Sequence, residues 1–398
     1  MGTKTRLRLP QSGFLDAVRK SGLLAPDDLV AFLAEHAADE AILADPVRLA
    51  TLLVRKKLLT KYQAVQLLNG KVQGFRLDHY KILDGVRQDR VGIVFLAEDT
   101  RTRRPVWVKV LPTDRVSDNT ILEAFTKEVR AAARVDHANV ARVLDMGVCR
   151  GTHYVVTEAA PGPTLDRLLA ARGPLAPHTA ARYVAQVAVA LRFAHEQGLI
   201  HRDVKPANVA VDADGRVKLL DLGLTHMLEN PWAKVTRRIS TKEYAEEIDH
   251  IAPEQAWGCE PDARSDVYSL GSTFYTLLTG QSPFPGTAAE KMQQRQLRGV
   301  PAPSSVRPGL PRELDAVVLK MAAKDPHERY QSAGEVAAAL HPWLPLAEWV
   351  ALGIGPAGGT GPHKPVPAKP SATARPTGST GVWAALTGIM TALFKRSK

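Results

Sequence analysis

The chain has 398 residues, 45% hydrophobic and 23% charged, which is ample for a sizeable core and for two or three domains of usual size. This composition excludes collagen-like, wholly disordered and multi-span membrane proteins, and with only Cys149 and Cys259 a disulfide framework is excluded and a reducing compartment fits. The formal charge of +11 divides into +4 for residues 1–75, +1 for residues 76–353 and +6 for residues 354–398, so the large middle lacks the basic excess of a nucleic-acid-binding body.

The opening MGTKTRLRLPQSGFLDAV is basic but has no uninterrupted apolar core, unlike a signal peptide, and the main body is expected in the cytoplasm. Residues 1–75 are predicted to form a helical interaction domain. Phe14, Leu15 and Val18, then Leu29, Val30, Phe32 and Leu33, then Leu49, Leu52 and Leu53 recur near the 3.6-residue period. Start and stop signals agree: Asp27–Asp28, Pro46, Thr60 before KYQAVQLLN, and Gly70 after it. About four short helices fit, and they carry no chemistry; their expected use is to hold a partner protein.

From Tyr80 the period changes to two, in YKILDG, VGIVFLAED and PVWVKVLP. A helical stretch, TILEAFTKEVRAAARV, precedes two more strand-like runs, ARVLDMGV and HYVVTEA. After Pro161–Gly162 the pattern is mainly helical as far as Leu346. Residues 76–350 are therefore predicted to be an α+β bilobal body, a small antiparallel sheet with one helix followed by a large helical part, with a cleft at the junction.

Residues 351–381 have the Gly, Pro, Ser and Thr content of a linker, and residues 382–398 form an apolar-basic tail. Val382–Phe394 would extend about 20 Å as a helix against about 30 Å of hydrocarbon, too short for a comfortable span. Trp383, Leu386, Met390 and Leu393 share one helical face, with Lys395, Arg396 and Lys398 following. The open readings are peripheral contact with the inner face of a membrane, docking to a protein, or a disordered tail.

The sharpest chemical signal is His201-Arg202-Asp203-Val204-Lys205-Pro206-Ala207-Asn208, followed by Asp221 in a DLG turn. Asp203 offers a carboxylate to accept a hydroxyl proton and Lys205 a positive charge for a moving phosphoryl group. Asn208 and Asp221 offer oxygens to a metal ion. Phosphoryl transfer is mostly positioning and charge neutralisation, so these groups form a sufficient half-site.

On these residues the chain resembles the eukaryotic-type (Hanks-type) serine/threonine protein kinases of bacteria over roughly residues 78–345. The resemblance implies ATP and Mg2+ as cofactors and a protein as substrate. Lys109, in Val106-Trp107-Val108-Lys109, would meet the nucleotide phosphates, and Glu128 would hold Lys109. Gly92 and Val94 would belong to the nucleotide loop, Thr157 would be the gatekeeper, and Glu158–Ala160 the hinge. Ala252-Pro253-Glu254 would close the activation segment, with Glu254 paired to Arg329, and Asp266 would brace the catalytic loop. Lys205 within the motif favours Ser/Thr over Tyr substrates. Arg202 could receive a phosphate placed on Thr236, Ser240 or Thr241, against the alternative of a solvated, unmodified loop.

The departures from the family pattern are specific. The first two glycines of the nucleotide loop become Arg87 and Asp89, and Asp89 sets a like charge near the phosphates while Arg87 could partly compensate. Trp107 replaces a small alanine and should narrow or fill the adenine slot. Glu246–Glu247 replaces the Gly-Thr pair before Ala252-Pro253-Glu254, and Leu222 replaces Phe. Two readings stand: a working, slow kinase, and a pseudokinase scaffold whose cleft excludes nucleotide. Asp212-Ala213-Asp214-Gly215 lacks the downstream Glu of a calcium loop and is expected to be a turn.

Overall fold

The computed structural model of the protein describes residues 11–88, 92–111, 119–224 and 248–352. The tail, the hydroxyls of Thr236, Ser240 and Thr241, the Glu246–Glu247 pair and Asp89 lie outside these residues.

The N-terminal helices are α1 (Gln11–Ser21), α2 (Pro26–Glu35), α3 (Glu40–Ala44), α4 (Pro46–Arg55) and α5 (Lys61–Leu68). The sequence pattern finds four of them. It passes over α3, whose five residues span too little of a helical turn pattern to show a period. The Asp45 carboxylate caps α4 by accepting from the Val47 amide at 2.8 Å. Thr60 and Gln63 form a reciprocal capping box at the start of α5. Phe14, Val18, Leu49, Leu53 and Leu67 are buried at the centre of this unit.

A six-stranded antiparallel sheet follows: β1 (Arg76–Leu77), β2 (Tyr80–Gln88), β3 (Ile93–Asp99), β4 (Arg104–Val110), β5 (Val143–Cys149) and β6 (Thr152–Glu158). Its order is β1-β2-β3-β4-β6-β5, with helix α6 (Asn119–Ala132) inserted between β4 and β5. The helical unit is joined to this sheet through β2. Gln63 Nε2 donates to the Ile82 carbonyl at 2.6 Å and Thr60 Oγ1 to the Leu83 carbonyl at 2.5 Å. Tyr62 lies beside Gly85, where an added Cβ would come within 3.3 Å of the ring.

The larger lobe is built on α7 (Leu165–Arg172), α8 (Pro177–Glu196), the hairpin β7 (Val209–Val211) and β8 (Val217–Leu219), and helices α9 (Pro253–Ala256), α10 (Ala263–Thr279), α11 (Ala288–Leu297), α12 (Pro303–Val306), α13 (Arg312–Met321), α14 (Ala333–Ala339) and α15 (Leu346–Ala351). Buried alanines at 180, 181, 185, 188, 190 and 194 keep α8 slender, so other helices pack closely around it in the main core. α10 starts on the Asp262 cap and stops at Gly280, whose φ of 77° is the left-handed conformation that ends a helix. This is the α+β bilobal body that the period change at Tyr80 implies. Asp212–Gly215 is the β7–β8 turn, and no group of three or more acidic, His or Cys ligands gathers anywhere among the described residues.

Candidate active site

The floor of the cleft is the segment from His201 to Asn208, and its conformation is held by one buried carboxylate. Asp266, on α10, accepts the His201 amide, the Arg202 amide and His195 Nε2, each at 2.8 Å. Arg202 has φ 68°, a left-handed backbone unusual for a long side chain, and the paired amides over Asp266 secure that turn. His201 Nε2 lies 2.7 Å from the Leu220 carbonyl, so it is the protonated nitrogen, and Nδ1 accepts the Asp203 amide at 3.3 Å. Burial raises the Asp266 carboxyl, but the hydrogen bonds from His195 and from the His201 amide outweigh it and hold it below the usual carboxylate range.

These contacts present Asp203 to the cleft. Its Oδ2 accepts from Asn208 Nδ2 at 2.9 Å and lies 2.8 Å from Lys205 Nζ. Because Asn208 spends its amide nitrogen on Asp203, its amide oxygen is the atom left to serve as a metal ligand. Asp221 supplies a carboxylate to the same cleft, from a backbone with φ 61°. One carboxylate and one amide oxygen suit magnesium, a hard cation that takes few protein ligands and completes its shell with water and phosphate.

The roof differs from the floor. Lys109, buried on β4, lies with Nζ 2.9 Å from Asp221 Oδ2. Glu128, which the resemblance assigns to Lys109, has Oε1 3.3 Å from Arg202 Nη1. A second cation reaches Asp221 from the nucleotide loop: Arg87 donates through Nη2 to Asp221 Oδ2 and through Nη1 to the Ala207 carbonyl. Burial would raise the Asp221 carboxyl, and the charges of Lys109 and Arg87 reverse this and hold it well below the ordinary range.

Trp107 pairs in register with Thr157 on β6, and its side chain packs against Ala141, Ala160, Ala210 and Leu220. Ala160 belongs to the hinge and Ala210 to the floor strand β7, so the indole spans the space between them. Val94 is buried beneath the sheet, and Gly92 passes so close to β4 that a Cβ there would fall 2.0 Å from the Val110 carbonyl oxygen. Hinge residue Glu158 accepts from Lys218 Nζ at 2.9 Å.

Away from the cleft, Glu254 and Arg329 form a two-pronged ion pair at 2.7 and 2.8 Å. Arg329 is fully buried, and its other donors meet the carbonyls of Ala323, Arg264 and Lys324. Two contacts escape a reading of motifs: Arg87 on Asp221, and Arg167 of α7, which donates to the Val86 carbonyl at 3.1 Å. The only trace of the first in the sequence is an arginine at a position that favours glycine.

Residues 80–344 match the protein kinase domain family. The serine/threonine-protein kinase PknB of Mycobacterium tuberculosis is 38% identical over 271 residues, covering 66% of this chain and 42% of that protein. The serine/threonine-protein kinase PrkC of Bacillus subtilis is 33% identical over 260 residues, 65% of this chain and 39% of that protein. The chain thus spans about two fifths of the length of these curated relatives. The crystal structure of the Mycobacterium tuberculosis PknI kinase domain superposes with a TM-score of 0.53 at 27% identity, covering 68% of this chain and 98% of that one. With its floor, its ordered motifs and these likenesses in agreement, the chain belongs to the protein kinase family, within its bacterial Hanks-type serine/threonine branch.

Proposed function

We propose that the protein transfers the γ-phosphoryl group of Mg-ATP to serine or threonine hydroxyls of a protein substrate. The observation that carries this reading is the assembled floor, in which Asp203 is oriented by Asn208 and flanked by Lys205. In this reading Asp203 orients the substrate hydroxyl and accepts its proton, and Lys205 neutralises the moving phosphoryl. Lys109 positions the nucleotide phosphates. Asn208 and Asp221 would hold magnesium, which supplies charge neutralisation at the phosphates. For Lys109 to be held by Glu128 in the working enzyme, Glu128 exchanges Arg202 for Lys109.

A second reading, a pseudokinase scaffold, is favoured by one observation: the Trp107 indole lies between hinge and floor, where an adenine would insert. Both readings keep residues 1–75 as a helical interaction unit and the basic tail as a peripheral tether on the cytoplasmic side of a membrane. Among the described residues no helix is long and apolar enough to cross a membrane. Incubating the full chain with labelled ATP, magnesium and a generic protein acceptor, beside Lys109→Met and Asp203→Asn, separates the two. Label with the wild type alone establishes the transferase; no label with any of the three establishes the scaffold.

A further inference from the structure

The end of β2, which leads into the loop that should cover the phosphates, is bolted to the floor of the cleft. Arg87 stands at the first glycine position of that loop, at the end of β2, and its guanidinium bridges two floor groups 120 and 134 residues away, the Ala207 carbonyl and the Asp221 carboxylate. Next to it, Arg167 of α7 holds the Val86 carbonyl at 3.1 Å. The guanidinium is largely shielded, with 20% side-chain exposure against 10% for Asp221, so the pair is weakly screened by solvent. Asp221 Oδ2 thereby serves two cations at once, Arg87 and Lys109. It is also the oxygen-bearing group that a magnesium ion requires, and Ala207 directly precedes the other metal-ligand residue, Asn208.

We propose that Arg87 is a built-in occupant of the metal position, a latch that magnesium and nucleotide displace when they bind. A divalent ion cannot share Asp221 with a guanidinium at bonding distance, because like charges repel strongly in a shielded cleft. Entry of the metal therefore swings Arg87 away from Asp221 and Ala207 and frees the end of β2 that carries it. A glycine in that place would leave the carboxylate open to metal from the start. Arg87 is thus a gating residue and takes no part in the bond-making step.

This inference rests on the cleft being a nucleotide site, and its test separates the two. Mg-ATP and ATP in excess EDTA are titrated calorimetrically into four full-length proteins: wild type, Trp107→Ala, and Trp107→Ala combined with Arg87→Gln or Arg87→Gly. Trp107→Ala opens the adenine slot in the proteins compared, and the glutamine variant removes the charge with the least disturbance of shape. The expected result is that both Arg87 variants bind Mg-ATP about tenfold more tightly than Trp107→Ala alone, about 1.4 kcal/mol, while affinity in EDTA does not rise. Equal Mg-ATP affinities within twofold overturn the latch and leave the nucleotide site standing. Weaker binding with and without metal also overturns it, since Arg87 would then be a phosphate ligand. No binding by any of the four overturns both the latch and the nucleotide reading. Tighter Mg-ATP binding upholds the latch whatever the outcome of the labelling experiment on the full chain.

Discussion

The floor and the roof of the cleft are built by different rules. On the floor, Asp203, Lys205 and Asn208 satisfy one another within a short stretch, and Asp266 on helix α10 holds that stretch through the His201 and Arg202 amides. On the roof, Arg87 and Trp107 replace small residues with large ones, and each side chain fills space that the family's architecture leaves for nucleotide. The Lys109 and Glu128 charges take Asp221 and Arg202 as partners on the same face of the cleft. In the proposed reading, chemistry and access are separable: the floor carries the groups suited to phosphoryl transfer, while Arg87 and Trp107 lie across the way in.

The largest expected effect lies outside both, in the ion pair that ties the larger lobe together. Arg329→Met leaves the half-buried Glu254 without its charge partner and should destabilise the protein by about 3–5 kcal/mol, read from urea unfolding. A loss below about 1 kcal/mol would show that the pair behaves like a surface ion pair.

The roof responds in the opposite sense. Trp107→Ala empties the space above Ala160 and Ala210 and should cost about 2–3 kcal/mol without ligand, the lower range for a large aromatic because the indole is only partly buried. The same variant should gain a larger thermal shift with an ATP analogue than the wild type does. An equal shift in both proteins would mean that the indole does not close the slot.

A pH titration sharpens the contrast at the edge of the floor. His250 is half-buried, and its pKa is pushed down to about 3, first by loss of solvent and then by Lys205 and Arg295; Asp203 acts the other way and Lys291 adds to the depression. The unfolded chain takes up a proton below about 6.5 and the native one does not, so stability declines as the pH falls through that value. Between pH 6.5 and 5 the loss should reach about 1.6 kcal/mol, and His250→Leu should remove that slope. The carboxylates of Asp266 and Glu254 have depressed pKa values, so their contribution declines only below about pH 4. The smallest effect is expected from Arg167→Ala, within about 0.5 kcal/mol of wild-type stability but with faster amide exchange along β2. Unchanged exchange would show that Arg87 alone fastens the loop.

The fold was legible where the signal is local. The switch from period 3.6 to period 2 at Tyr80, and back after Gly162, delimits the sheet, and the motif from His201 to Asn208 carries its chemistry within eight consecutive residues. Pairings between distant residues were not legible. Arg87 appears in sequence as a flaw in a glycine pattern, and only the folded chain brings it across the cleft to Asp221, 134 residues away. The same holds for Glu128 and Arg202, whose acquaintance depends on where α6 lies against the floor. Trp107 was the intermediate case, because its bulk is a local fact whose consequence follows from the strand that carries it. α5 has an amphipathic pattern that says it must bury a face, yet not that β2 contributes to covering it through Thr60 and Gln63.

That docking has a kinetic consequence. β2 is held on its outer side by α5, and its far end is tied down by Arg87 and Arg167. A strand pinned along its first half and at its far end opens more slowly than a free glycine loop. Nucleotide capture should therefore be paced by release of the strand and not by collision, and the observed association rate should level off as ligand concentration rises. The helical preface, which holds none of the chemistry, would then set the clock for the site.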